Sequence, residues 1–140
     1  MVQIAGYAYQ VKPDVILAEF RRGRALQFLL LRYVQALMTQ ISQNAVCGQH
    51  HTLEQQLCRW LLLRLDRIGS REIPVTYGLI GEMLGVRRQG ITQAASKLHA
   101  AGLIEYRRGH LSVRDRGRLQ ARACECYAVV RKEMDRLRAR

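Results

Sequence analysis

Between Val75 and Gly102 the chain reads VTYGLIGEMLGVRRQGITQAASKLHAAG, and this stretch limits the possible folds more than any other. Ile91, Ala95 and Leu98 recur at the i, i+4, i+7 spacing that places side chains on one face of an α-helix. Gln89, Thr92, Gln93 and Ser96 follow the same period on the opposite face, with Arg88 at its margin. Before them, Leu79, Ile80, Met83 and Leu84 form the apolar set of a shorter helix over about Tyr77–Leu84. Thr76 stands where a hydroxyl can cap that helix, and Gly85 supplies the left-handed residue that lets the chain turn into the next one. Two short helices, a tight glycine turn and a polar outer face together predict a helix-turn-helix. The same pattern also suits an ordinary helical hairpin packed in a core, so the flanking sequence has to decide.

The outer face carries specific chemistry. Arg and Gln offer forked donors and acceptors that match the major-groove edges of guanine and adenine, and Thr and Ser can reach a base or a phosphate. Arg88, Gln89, Thr92, Gln93 and Ser96 are therefore the candidate base-contacting residues. Lys and Arg total 23 against 11 acidic residues, a formal net charge of +12 over 140 residues, which favours a polyanionic partner. An anionic membrane is the weaker choice. No apolar run approaches the ~20 residues of a spanning helix, and the N-terminus lacks the charged, apolar and small-residue succession of a signal peptide. A cytoplasmic protein is expected, and a hydrophobic content of 49% is enough for a packed core.

Residues 1–23 divide into a weak strand pattern (Val2, Ile4, Tyr7, Tyr9, Val11) and a short helix opening at Pro13 and Asp14. A lone strand has nothing to pair with, so this piece reads as the remnant of a larger N-terminal domain. Residues 24–48 form the longest helix, in which Leu30, Val34, Leu37, Ile41 and Asn44 repeat at spacings of 4, 3, 4 and 3, a coiled-coil seam. Leu26, Leu29 and Tyr33 widen it. The expected dimer interface is Leu26, Leu30, Tyr33, Val34, Leu37 and Ile41, with Asn44 fixing register.

The remainder, residues 49–140, reads as one winged helix-turn-helix domain with a C-terminal helix. Thr52 with Gln55 forms a capping box for a core helix over 53–68, which carries Leu57, Trp60, Leu61, Leu65 and Ile68 and ends at Gly69. Trp60 is expected as a packing anchor. Ser70–Val75 is a connector in which Ile73 and Val75 allow a short strand. After Gly102, Ile104 and Tyr106 alternate, as do Leu111 and Val113, about a turn of Arg107, Arg108, Gly109 and His110. A hairpin directly after a recognition helix is a wing, and its basic tip suits phosphate contact. From Asp115, a plausible N-cap, one helix is expected with Leu119, Ala123, Cys126, Val130, Met134 and Leu137 on its packed side.

Four cysteines, Cys47, Cys58, Cys124 and Cys126, give no disulfide framework at this length. Cys47, His50, His51 and Cys58 straddle a helix end and match no closed four-ligand zinc spacing. Cys124 and Cys126, two apart on a continuous helix, would point to different sides. No metal and no other cofactor is therefore expected, and the thiols read as core residues. No phosphate loop, carboxylate pair or nucleophile–base constellation suggests an enzyme.

Taken in order, long helix, core helix, helix-turn-helix and wing resemble the C-terminal part of a Crp/Fnr-family transcription regulator. The likeness rests on RYVQALMTQISQ, on HHTLEQQLCRWLLLRLDRI and most of all on TYGLIGEMLGVRRQGITQAASKLHAAGLIEYRRGHLSV, with CECY similar to one subgroup. It covers about residues 20–130. The resemblance implies a homodimer on a palindromic operator that contacts RNA polymerase. It implies base reading by Arg88, Gln89 and Gln93, and backbone contact by Thr76 and Tyr77. Arg87, Arg107, Arg108 and His110 complete the expected phosphate-contacting set. Gln89 stands where the family often has Glu, exchanging an acceptor for cytosine for an amide suited to adenine, so the family's usual operator is not carried over. Arg87 replaces a common serine cap. Neither a glycine-rich cyclic-nucleotide cassette nor an N-terminal cysteine cluster is present, so no cyclic-nucleotide binding is expected of this chain.

The fold class expected is mainly α with a small β-hairpin, a winged helix-turn-helix preceded by a long dimerisation helix. Its leading function is sequence-specific DNA binding by a homodimer. One alternative is an interaction module that heterodimerises with a full-length relative, and another is nonspecific nucleic-acid packaging driven by charge.

Overall fold

The computed structural model describes residues 6–138. Residues 6–12 carry no regular structure, so the expected strand over residues 2–11 is not formed in its described part, and Val2 and Ile4 lie outside the described residues. The reason is physical. Alternation makes a strand only where a neighbour satisfies its backbone groups, and Tyr7 and Tyr9 are fully exposed here. Helix α1 (Pro13–Arg21) begins on its proline as expected, and α2 (Ala25–His50) runs 26 residues, about 39 Å at 1.5 Å per residue.

Helix α3 (Leu53–Ile68) is fixed at both ends by side chain and backbone. Thr52 Oγ1 accepts from the Gln55 N–H at 3.3 Å, and the Thr52 N–H donates to Gln55 Oε1 at 3.0 Å. Gly69 closes the helix in the left-handed conformation, φ 68°. Leu57, Leu61, Leu62 and Leu65 are buried from this helix, while Trp60 is half-buried with the Arg64 guanidinium 4.7 Å from its ring centroid.

Three strands form one antiparallel sheet. Strand β1 (Glu72–Pro74) follows α3, and the helices α4 (Tyr77–Leu84) and α5 (Arg88–Ala100) lead into β2 (Ile104–Arg107) and β3 (His110–Val113). The order is β1-β3-β2, with Ile73 opposite Leu111 and Tyr106 also opposite Leu111. The expected hairpin is thus joined by a third strand, which ties the wing back to the end of α3. One core collects Leu57, Leu61, Ile80, Ile91, Leu98, Leu103, Leu111 and Leu119, so α3, α4, α5, the wing and the next helix share a single interior.

The C-terminal segment departs from the expected single helix. Asp115 does cap, accepting from the Arg118 N–H at 2.9 Å. But α6 (Arg116–Arg122) stops at Ala123, whose ψ of 151° is extended, and α7 (Cys126–Arg138) starts afresh. Burial explains the break. Leu119 and Tyr127 enter the main core, whereas Cys126 joins Cys47 and Cys124 in a separate cluster, and α7 lies along α2 and touches α3. A straight helix could not reach both places. The Tyr127 hydroxyl fixes the junction, donating to Asp66 at 3.1 Å and accepting from Arg116 at 3.0 Å.

Candidate nucleic-acid interface

The two helices of the reading head, α4 and α5, meet at a turn with little room. Thr76 Oγ1 accepts from the Leu79 N–H at 3.2 Å, and Gly85 ends α4 with φ 68°. A Cβ on Gly81 would lie 2.8 Å from the Val86 carbonyl oxygen, a backbone atom that cannot step aside. Gly81 is therefore what lets α5 start so close to α4. In the sequence, a glycine inside an apolar helical pattern is the signal for such an approach.

Across α5 the division of faces is complete. Ile91, Ala94, Ala95 and Leu98 are buried, while Arg88, Gln89, Thr92, Gln93 and Ser96 are all exposed on the far side. The Thr92 hydroxyl donates to the Arg88 carbonyl at 3.1 Å, and the Ser96 hydroxyl to the Thr92 carbonyl at 2.8 Å. Their protons are thus spent on the helix itself. Outwardly they offer an oxygen acceptor and, for Thr92, a methyl group. Arg88, Gln89 and Gln93 remain the residues with outward donors.

The expected backbone-contacting residues surround this edge. Arg87 is the exposed residue at the α5 N-cap and makes no side-chain cap bond. Thr76 is exposed while capping. Tyr77 is half-buried, its ring stacked on Tyr106 of the wing at a centroid distance of 4.3 Å. Burial, with the neighbouring Tyr106, pushes its phenol above the ordinary value, so it stays a neutral group. This contact couples the first helix of the head to the wing. Arg107, Arg108 and His110 are exposed at the wing tip.

The tip is a two-residue loop, Arg108–Gly109, with φ of 48° and 83°. Positive φ at both central positions is the type I′ turn whose twist suits a hairpin, and Asn or Gly usually fills its first place. An arginine there is held at a conformational cost of about 1 kcal/mol.

The seam residues of α2 also lie open. Val34, Leu37 and Ile41 are exposed, as is Tyr33, while Leu26 and Leu30 are half-buried. Only Ala36 and Cys47 are buried from this helix. Leu31, Met38 and Ala45 extend the apolar stripe. Asn44 is less free than a seam residue should be, because its Oδ1 accepts from Arg59 Nη1 of α3 at 2.8 Å.

Residues 55–122 match the family model of the Crp-like helix-turn-helix domain. Over that stretch the chain is similar to Crp-like helix-turn-helix domains. Two solved structures share the architecture. FixK2 from Bradyrhizobium japonicum superposes with a TM-score of 0.73 at 17% identity, over 81% of this chain and 60% of that one. A Crp/Fnr-family protein from Eubacterium rectale gives 0.58 at 20% identity, over 78% of this chain and 50% of that one. The chain thus spans half to three-fifths of the length of these two structures. No curated protein sequence matches it. The matched span contains most of α3, all of α4 and α5, the hairpin and α6, so Thr76, Tyr77, Arg87 to Ser96 and Arg107 to His110 all fall inside it. No helix among the described residues is long and apolar enough to cross a membrane.

The structure corrects one geometric expectation outright. Because α6 ends before Cys124, that residue and Cys126 do not point apart, and together with Cys47 and His51 they form one cluster. Cys58 belongs instead to the main core, and His50 is exposed. Burial, strengthened by the hydrogen bond with Cys124, pushes the Cys47 thiol up to about 12; burial first, then Glu54, does the same for Cys58.

Proposed function

We propose that this chain is a DNA-binding transcription regulator that acts as a homodimer on a palindromic operator. One observation carries the proposal. α5 turns Ile91, Ala94, Ala95 and Leu98 inward and leaves Arg88, Gln89, Thr92, Gln93 and Ser96 in solvent along one edge. A helix of this diameter fits the major groove of B-form DNA. Arg88 and the two glutamines then read base edges, while Thr92 and Ser96 accept from base amino groups or meet a thymine methyl.

The phosphate backbone is held on both sides of that groove. Arg87 and the α4 N-terminus, with Thr76 and Tyr77, bear on one strand, and the wing tip with Arg107, Arg108 and His110 bears on the neighbouring phosphates. The second copy is supplied through α2, whose stripe of Leu30, Val34, Leu37 and Ile41 repeats at coiled-coil spacing, with Val34, Leu37 and Ile41 exposed and Leu30 half-buried in the single chain. Two reading heads related by that seam face successive major grooves, which sets half-sites about 10 base pairs apart. RNA polymerase is the partner through which a dimer so placed would act on transcription.

Equilibrium binding of the chain to a palindromic duplex, compared with a half-site duplex, tests this reading. Two chains per palindrome and a marked loss of affinity on the half-site are expected. Equal affinity for both, with one chain bound, would remove the dimer from the account. Shifted binding only in the presence of a longer relative would favour the heterodimer alternative.

A further inference from the structure

Where α2 ends against the α6–α7 junction, four side chains that the DNA-binding reading does not use converge. Cys47 lies in the last turn of α2, His51 is that helix's C-cap residue, Cys124 follows the end of α6, and Cys126 opens α7. Their ligand atoms all lie within 4.8 Å of one another. Cys47 Sγ and Cys124 Sγ are 3.5 Å apart, and Cys126 Sγ is 3.7 Å from His51 Nδ1. A tetrahedral zinc ion with arms of about 2.0–2.3 Å sets its ligand atoms about 3.3–3.8 Å apart, so the cluster is already close to the required size.

We propose that Cys47, His51, Cys124 and Cys126 form a structural zinc site of the Cys3His type.

Three further observations support a ligand here beyond the proximity of the sulfurs. First, His51 is oriented as a metal-bound histidine is. Its Nδ1 faces the thiols, and its Nε2 meets Glu125 Oε1 at 3.1 Å, the carboxylate–histidine pairing that fixes the tautomer and strengthens the ligand nitrogen. Second, the cluster is closed. Cys47, Cys124 and Cys126 are 0%, 4% and 1% exposed, leaving no open coordination position of the kind catalysis needs. Third, the three cysteines make up a core cluster of their own, separate from the main interior and without a leucine, isoleucine or valine. Three small thiols and one imidazole offer little apolar surface to hold α7 against α2. A metal would add an attachment at this end of α7, beyond the buried Tyr127 and Val130.

Charge is partly offset as well, the Glu125 carboxylate on His51 being counted beside the ion. Zinc(II) with three thiolates and a neutral imidazole carries −1. Arg59, 4% exposed, has its Nε buried without a hydrogen-bond partner among the described residues, and its charge favours the Cys47 thiolate. On binding, three S–H protons pass to solvent, three S–Zn bonds and one N–Zn bond form, and no electron is transferred. The soft sulfur-rich set and tetrahedral spacing favour zinc over magnesium, calcium or manganese. The ion would pin the end of the dimer helix and the turn after it to the α6–α7 junction, holding α7 along α2.

The test is metal analysis of the whole chain, purified under reducing conditions and equilibrated with zinc chloride before removal of free ion. About one zinc per chain is expected for the native sequence and for Cys58→Ser, whose thiol lies in the main core. Cys124→Ser and His51→Ala should each lose the ion, and Glu125→Gln should weaken its retention by about tenfold or more. Should a ligand variant fail to fold, cobalt(II) bound to the native chain gives the answer without it. Intense visible bands of tetrahedral cobalt with thiolate charge-transfer absorption, bleached by zinc, support the site. A native chain without stoichiometric zinc, a Cys47–Cys124 disulfide in its place, iron or copper as the resident metal, or full zinc retention by Cys124→Ser would each overturn it.

Discussion

Arg88 and Arg108 are both exposed arginines, and the proposed DNA-binding reading gives them different work. Arg88 begins a helix whose axis is fixed by Ile91, Ala95 and Leu98, so its guanidinium has a defined starting point for a bidentate contact with a guanine edge. Replacing it with alanine should cost ~1–3 kcal/mol of discrimination at one base position and leave other positions intact, as read by binding to single-base operator variants. Arg108 sits at a left-handed turn position that asparagine adopts more easily. Arg108→Asn should therefore raise stability by about 1 kcal/mol in denaturant titration while weakening binding to all sequences alike and lowering the salt slope by about one. A variant that both loses stability and keeps its DNA affinity would show that the tip is structural. The outward edge of α5 was legible in the sequence because its apolar residues keep the helical period without interruption. Stacking of Tyr77 on Tyr106 was not, since residues 29 apart in sequence carry no periodic relation.

Elements that the sequence announced through capping and turn chemistry appear where expected: Thr52, Thr76 and Asp115 cap, and Gly69 and Gly85 close. Thr52→Ala should cost ~1 kcal/mol through loss of its capping bonds, measured by thermal or denaturant unfolding. Gly81→Ala should destabilise by ~1–3 kcal/mol and weaken DNA binding, because its methyl group drives α4 away from the start of α5. Elements set by tertiary contact were harder to see. The stretch ARACECY holds no glycine or proline, so the break at Ala123 is imposed by two burial sites that one straight helix cannot serve. Strand β1, of three residues, is too short to show a period and exists because β3 pairs with it. That same break is why the cysteine cluster could not be read from spacing. The junction also carries a pH signature. Burial and the Asp66 charge raise the Tyr127 phenol above its ordinary value of 10.0. A raised folded-state value means its contribution is whole below pH 10.0 and is lost as pH rises through the folded value. Alkaline unfolding should thus begin later for Tyr127→Phe relative to its own neutral-pH stability.

At the scale of the whole molecule, a basic chain places a reading helix, a wing and an uncovered apolar seam on one framework. The net charge of +12 draws it to any polyanion, but charge alone gives no sequence preference. In the proposed reading, preference comes from the α5 edge and symmetry from the α2 seam. Val34→Glu with Ile41→Glu should yield a monomer by sedimentation, keep the winged domain folded, and lose the added affinity of a palindrome over its half-site. The most direct measurement is selection of bound sites from a pool of random duplexes at physiological salt, run with the native chain and with Arg88→Ala. The account predicts an inverted repeat with half-site centres about 10 base pairs apart, in which one symmetric pair of positions becomes degenerate when Arg88 is removed. No enriched sequence, or the same sequence enriched equally by both proteins, would contradict it.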